Sequence, residues 1–239
     1  MDSETLVSRF QDSFSQSPLV WNPIENVLLV GQWGEPRLVS VDSEEIRQRF
    51  SIPNWDTTSR EPVWFVHLAC WSPQGSFVRV FVSQHSFVLT YPQWELASVE
   101  SLEFDSFRGA DCTDDVTALA FPNTSILDLH TQTVIQPDAP CNGVSAVWNP
   151  MGEDEFAVNC DDQTVRIYGR DGVLTHRLQG DLTGDPQAGM QRSILFSPSG
   201  QWLAALGNNG QFRIWDTSNY ELITRVNVAD IANLALAQQ

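Results

Sequence analysis

The 239-residue sequence predicts an all-β fold of about five four-stranded antiparallel sheets arranged radially. Three observations carry this expectation. The first is the stretch Ser193 to Asp216, in which the apolar runs SILF, QWLAAL and QFRIW are separated by SPSG and GNNG. Short apolar runs bounded by Gly, Pro, Ser and Asn read as strands joined by tight turns. The second is that the pattern recurs. An aromatic residue followed by a polar residue and proline stands at Trp21, Trp71, Trp148 and Phe196. A second turn, before the third strand, follows 14, 14, 14 and 13 residues later, at Glu35, His85, Asp162 and Asn209. The third is composition. With 42% apolar residues and nine Trp the chain is a folded one, and its length holds five repeats of about 40–45 residues but not seven.

Taken in order, residues 1–16 place Leu6, Val7, Phe10 and Phe14 at roughly helical spacing; a short amphipathic helix and a closing strand both fit. Unit one (residues 17–60) reads as SPLVW, NVLLVG, RLVSVD and IRQRFSI, followed by a loop holding Trp55 and Arg60. Unit two (61–115) reads as VWFVHLACW, SFVRVFVS, FVLTYP and LASVESLEF, then an acidic connecting loop, DSFRGADCTDD, with Arg108. Arg79 alternates with apolar neighbours and should point away from them. Unit three (116–142) is shortened. If Phe121-Pro122 is its anchor, Asn123 stands only two residues on, and about a dozen residues, the length of a strand and its hairpin, are missing. Either this sheet lacks a strand or the anchor is wrong. Unit four (143–190) gives GVSAVW, EFAVNC, TVRIY and VLTHRLQG; unit five (191–230) gives the opening stretch and ELITRVNV. A trailing strand, residues 231–239, resembles DVTALAF and GVSAVW, which read as the innermost strands of other units.

The segment closing on Trp215-Asp216 resembles a WD repeat, specifically over residues 143–239 and weakly over 17–142. The resemblance implies one β-propeller spanning residues 1–239, with the third blade shortened. It also implies that Asp162 braces its turn by hydrogen bonds. The Gly-His pair that often opens the family's repeat is absent, so its His-Asp-Ser-Trp network is incomplete. Three ring arrangements are open. One is five blades closed by the N-terminal segment. Another is a partial sixth blade formed from Thr5 to Phe10 and Ala232 to Ala237. The third is an open ring whose missing strands come from a second chain, with an unpaired edge near Leu234 and Leu236.

Charge and motif content bound the function. A formal net charge of −17 argues against nucleic acid or an anionic membrane as ligand. No run approaches the roughly 18 apolar residues of a membrane span, and the acidic start has no apolar signal region. Cys70, Cys112, Cys141 and Cys160 are widely spaced and read as buried reduced thiols of a cytoplasmic protein, with the nucleus the other compatible compartment. His67, His85, His130 and His176 fall at unrelated repeat positions, and no nucleophile elbow, phosphate loop or HExxH motif is present. No catalytic residue, metal or cofactor is therefore expected, and the chain reads as a non-enzyme. The resemblance implies a protein-binding scaffold, a subunit of a larger assembly, using loops at the narrow end and free edges. The candidates are Trp33, Trp55, Arg60, Arg108, Asp114, Asp161, Gln191, Asn208, Leu234 and Leu236, since aromatic and Arg anchors dominate binding energy. A reader of basic or modified peptides at an acidic narrow face is the alternative; a propeller hydrolase is the outlying one.

Overall fold

The structure, a computed structural model, describes residues 19–30, 37–42, 45–49, 66–82, 84–102, 107, 109–151, 154–179, 193–206 and 211–227. These form twenty strands in five four-stranded antiparallel sheets, blades of the β-propeller class, with no helix among the described residues. The chain divides into two compact units, Met1–Phe107 and Arg108–Gln239. In the first, blade 1 comprises β1 (Leu19–Trp21), β2 (Val27–Val30), β3 (Arg37–Ser40) and β4 (Glu45–Arg49). Blade 2 comprises β5 (Val66–Trp71), β6 (Phe77–Val82), β7 (His85–Thr90) and β8 (Leu96–Ser101). His85 opens β7, so the turn before this strand lies one or two residues earlier than the spacing placed it.

The second unit holds three blades. Blade 3 is β9 (Asp111–Cys112), β10 (Ala118–Ala120), β11 (Ile126–Asp128) and β12 (Val134–Ile135). Blade 4 is β13 (Gly143–Trp148), β14 (Glu155–Cys160), β15 (Thr164–Gly169) and β16 (Leu174–Gln179). Blade 5 is β17 (Ser193–Phe196), β18 (Trp202–Leu206), β19 (Gln211–Asp216) and β20 (Leu222–Asn227). Every strand pairs with its neighbour in sequence.

Blade 3 is shortened but complete, and Phe121 is not its anchor. The segment read as a connecting loop carries β9, and ALA of DVTALAF is the second strand, not the innermost. The true first turn is Thr113 to Val116. The Thr113 hydroxyl accepts hydrogen bonds from the Thr117 and Ala118 amides, both at 3.1 Å. The Ser72 hydroxyl does the same for Ser76 and Phe77 in blade 2 (3.0 and 3.1 Å), and Ser197 for Trp202 in blade 5 (3.1 Å). Val116 takes the positive φ that Gly75 and Gly200 take in those turns, a conformation in which a β-branched residue is an outlier. Phe121 instead sits in the turn between β10 and β11, where Pro122 imitates the anchor motif.

Strand alternation sends successive side chains to opposite faces of each blade, and within each unit the core lies in the seams between its consecutive blades. Val27, Leu29 and Leu38 of blade 1 pack against Ala69, Trp71, Val78 and Val80 of blade 2. In the second unit Ala118, Ala120 and Ile126 meet Trp148, Phe156, Val158 and Tyr168. Ala157, Val165, Ile167 and Leu178 of blade 4 meet Ile194, Phe196, Leu203 and Trp215 of blade 5. Each of the larger side chains contributes about 1.5–3 kcal/mol on burial. Arg79 leaves this pattern on the face opposite Val78 and Val80 and forks onto Glu100 at 3.1 Å.

Candidate functional site

Two seams, blades 1–2 and blades 4–5, repeat one set of contacts. Each begins at a Trp-Asn-Pro turn. The Asn22 side-chain oxygen accepts from the Ile24 and Glu25 amides, both at 2.9 Å, and that of Asn149 accepts from Met151 at 3.1 Å. Both asparagines lie against the positive-φ glycine of the following blade, Gly75 and Gly200 respectively. Both seams also carry a tyrosine from the later blade's last turn that donates to a glutamate of the earlier blade. Tyr91 bonds Glu25, and Tyr220 bonds Glu155. A positive-φ aromatic packs into each seam: Trp94 beside Tyr91 in the first, and Tyr220 itself in the second.

Beyond blade 5 the same positions are not closed off. Phe196 pairs with Leu203 as Trp148 pairs with Phe156, which aligns the two blades. Blade 4 turns Ala157, Val165, Ile167 and Leu178 toward blade 5 and buries all four. The aligned face of blade 5 carries Ala204, Phe212, Ile214 and Val226; the last three are only half-buried, and Leu195 beside them is 51% exposed. In the first unit, Trp21 of blade 1 is 55% exposed, whereas Trp71 at the aligned position of blade 2 is 7% exposed under blade 1.

At the edge of blade 5's far face, Trp202 and Asp216 sit directly opposite each other on β18 and β19. They line a groove of about 650 Å³ with Asn149, Met151, Gln201 and Ser218. Asp216 Oδ1 accepts from the Ser218 amide (2.9 Å) and hydroxyl (2.7 Å). These bonds hold its carboxyl below the usual range.

At the opposite end of blade 4, Asp162 braces its turn as the resemblance implied. Oδ1 accepts from the Thr164 amide and hydroxyl (3.2 and 2.5 Å), and Oδ2 from Arg166 and Arg177 (2.6 and 3.0 Å). Partial burial pushes this carboxyl up, but Thr164 and Arg166 outweigh it and leave it below the usual range. With two guanidiniums on one oxygen, Asp162 contributes no open negative charge to that end.

Of the sequence-predicted binding residues, Asp114 and Asp161 lie among the described ones. Asp161 is exposed in the turn between β14 and β15; Asp114 is exposed in the turn between β9 and β10. Those turns lie at opposite ends of the strands, so the two aspartates do not meet on one end of the unit. Burial and the neighbouring Asp115 push Asp114 up. Trp33, Trp55, Arg60, Arg108, Gln191, Asn208, Leu234 and Leu236 lie outside the described residues, as does the trailing strand 231–239.

Two features escaped sequence reasoning. Cys141 and Cys160 are bonded, with Cα atoms 5.9 Å apart, and no described cysteine is a free thiol. The reduced-thiol reading fails because strand pairing folds residues 19 apart back onto each other, a proximity that wide sequence spacing conceals. The premise it lent to a cytoplasmic location goes with it. Asp111 also stood unnoticed in the supposed loop. Its Oδ2 accepts from the Trp148 amide at 2.9 Å and ties β9 to β13. Burial pushes its carboxyl up to about 6, against the opposing pull of the Trp148 and Cys112 amides. The signal for it was the Thr113 turn, which fixes Asp111 as a strand residue.

The histidines stay dispersed. His67 is lowered by burial, His85 stacks on Phe87 at 6.3 Å, and His176 lies 4.4 Å from the Tyr220 ring. Among the described residues no three His, Cys, Asp or Glu side chains converge in a metal-binding group.

Residues 176–216 match the family model described as WD domain, G-beta repeat. The matched segment runs from β16 of blade 4 through the first three strands of blade 5, so the sequence repeat straddles two blades. No curated protein matches the chain. The matched repeat covers 41 of the 239 residues, and together with the five four-stranded blades of one strand order it supports a WD-repeat β-propeller.

Proposed function

We propose that the chain is a non-catalytic protein-interaction scaffold and a subunit of a larger assembly, and that a partner's β-sheet covers the far face of blade 5. WD-repeat propellers generally serve as protein-binding, non-catalytic scaffolds. The observation that carries the specific reading is the contrast between aligned positions. Val165, Ile167 and Leu178 are buried by blade 5, while Phe212, Ile214 and Val226 keep part of their surface in water beside an exposed Leu195. Blade 5 covers blade 4 with an aliphatic and aromatic sheet face (Ile194, Phe196, Leu203, Trp215) and two polar donors, the Tyr220 hydroxyl and the Arg213 guanidinium, which reaches the Gln179 carbonyl at 2.9 Å. The occupant inferred here has that chemistry: a sheet with an apolar face and polar donors at its margins.

The test compares the wild-type chain with Leu195→Glu. Wild type should retain a partner on quantitative affinity purification, and the purified pair should reassemble with a defined stoichiometry by light scattering. Leu195→Glu should lose that partner while keeping its melting temperature within a few degrees. A partner retained equally by the variant would overturn the assignment of this face.

A further inference from the structure

We propose that the groove between Trp202 and Asp216 binds a cationic side chain, guanidinium or ammonium, of a partner polypeptide. The polypeptide nature of the ligand rests on the scaffold reading above; the cation preference rests on the groove. Trp202 and Asp216 face each other across two adjacent strands, so their Cβ atoms stand about 4.5–5.5 Å apart on one side of the sheet. Trp202 is 52% exposed and presents its ring to solvent, and Met151, 64% exposed, flanks the same groove. An indole face attracts a cation through its quadrupole, and Trp is the strongest of the aromatic side chains in this.

The carboxylate completes the site. Only Oδ1 of Asp216 is engaged, by Ser218; Oδ2 has no partner among the described residues. The turn thus fixes the carboxylate's orientation and leaves one oxygen open. One polar neighbour, Asn149, is committed elsewhere: its side chain accepts from Met151 and donates to Glu155. The chain's charge of −17 attracts the same kind of ligand at long range.

Two comparisons inside the molecule sharpen the assignment. At the aligned positions of blade 2 the pair is Phe77 and Thr90, half-buried and without a carboxylate. The pairing of an open aromatic with a charge therefore belongs to blade 5 and is not a general property of the repeat. In blade 4 the residue aligned with Trp202 is Glu155, the group to which blade 5 donates its Tyr220 hydroxyl. This register is thus where a covering sheet plants its polar edge group. On blade 5 the receiving surface is aromatic and anionic, and the complementary group is a cation.

The experiment is a titration of the ¹⁵N-labelled full-length chain with acetyl-Gly-Arg-Gly-amide, following the indole Nε1–H resonance of Trp202, identified by its loss in Trp202→Phe. One exposed cation–π contact and one exposed ion pair predict a weak complex, with a dissociation constant on the order of tens of millimolar or weaker. The neutral isostere acetyl-Gly-citrulline-Gly-amide should bind about 3- to 10-fold more weakly. Asp216→Asn keeps an acceptor for Ser218 and should lose a similar factor toward the arginine peptide. Equal shifts with arginine and citrulline would overturn the proposal, as would undiminished binding by Asp216→Asn; if that variant fails to fold, the citrulline comparison on wild type decides alone. Failure here leaves the Leu195→Glu comparison standing, so the two readings fall separately.

Discussion

The seam between blades 1 and 2 and the seam between blades 4 and 5 are built from the same parts, yet they are not equally tight. In both, an asparagine of a Trp-Asn-Pro turn meets the glycine of the next blade. A Cβ added at Gly75 would come 2.7 Å from a single side-chain atom, Asn22 Oδ1, and the nearest atoms all belong to that one amide. At Gly200 it would come 2.5 Å from Asn149 Oδ1 and also 2.8 Å from Met151 Cβ, an atom fixed to the backbone. One amide can rotate away, but a turn cannot. The lesson is that a shared motif sets where two blades touch, whereas the residue two positions along sets how far the contact can yield.

The largest expected effect comes from forcing that difference. Gly200→Ala meets both a positive φ of 66° and a fixed neighbour, and should cost about 3 kcal/mol or more. Gly75→Ala, at φ 62°, should cost roughly 1–2 kcal/mol. Thermal or urea unfolding of the two variants checks the order; an equal loss would break the comparison.

Blade 3 supplies the next effect, because its link to blade 4 replaces the asparagine–glycine contact with a carboxylate. Burial holds Asp111 near 6, above its ordinary 3.8. The folded state therefore favours the protonated acid, and stability falls as pH rises from about 4 to about 6, then levels off. Ionising this buried acid at neutral pH costs the fold about 3 kcal/mol as an upper figure. Asp111→Asn keeps an acceptor for Trp148 without the charge. It should raise the melting temperature at pH 7.5 and leave it nearly unchanged at pH 4. A pH-independent difference between the two proteins would show that ionisation of Asp111 is not the cause.

Smaller again is the tyrosine–glutamate link. Tyr220→Phe removes a donor to a partly buried carboxylate and should cost about 1–2 kcal/mol. Tyr91→Phe, in a more exposed setting, should cost less. Double-mutant cycles with Glu155→Gln and Glu25→Gln separate the hydrogen bond from packing.

The smallest effect belongs to Asp162. Its folded carboxyl lies below the ordinary range, so its contribution is present above about pH 4 and disappears as pH falls through the folded value. The side chain is 38% exposed and screened by solvent. Asp162→Asn should therefore cost no more than about 1 kcal/mol at neutral pH, with the difference closing as pH falls below the ordinary carboxylate range.

The blade count, the strand order and the brace at Asp162 were legible in the sequence because tight turns need particular residues. Blade 3 was not, for a specific reason. Its first turn uses Thr113 where blades 2 and 5 use Ser, Val116 where they use Gly, and Cys112 where they use Trp or Phe. The hydrogen bonds survive each exchange, so the turn forms, but every letter that advertises it is gone. The Trp202–Asp216 pair was hidden differently. Trp202 and Asp216 are 14 residues apart, and only the register of β18 on β19 brings them together. The far face of blade 5 was hidden because exposure depends on what covers a residue: Leu195 and Val147 are equally apolar and hold the same place in their strands.

Strict pairing of each strand with the next has a consequence for synthesis. A blade's meander can close as soon as its fourth strand leaves the ribosome, since no hydrogen bond waits for distant sequence. Its forward apolar face has no such luck. Val165, Ile167 and Leu178 must wait for Asn227 at the end of β20 before blade 5 can cover them, a delay of about 2–10 s at ordinary elongation rates. Nascent chains paused within that interval present the surface that chaperones bind, and codon-level slowing between residues 180 and 227 would lengthen their exposure without altering one amino acid.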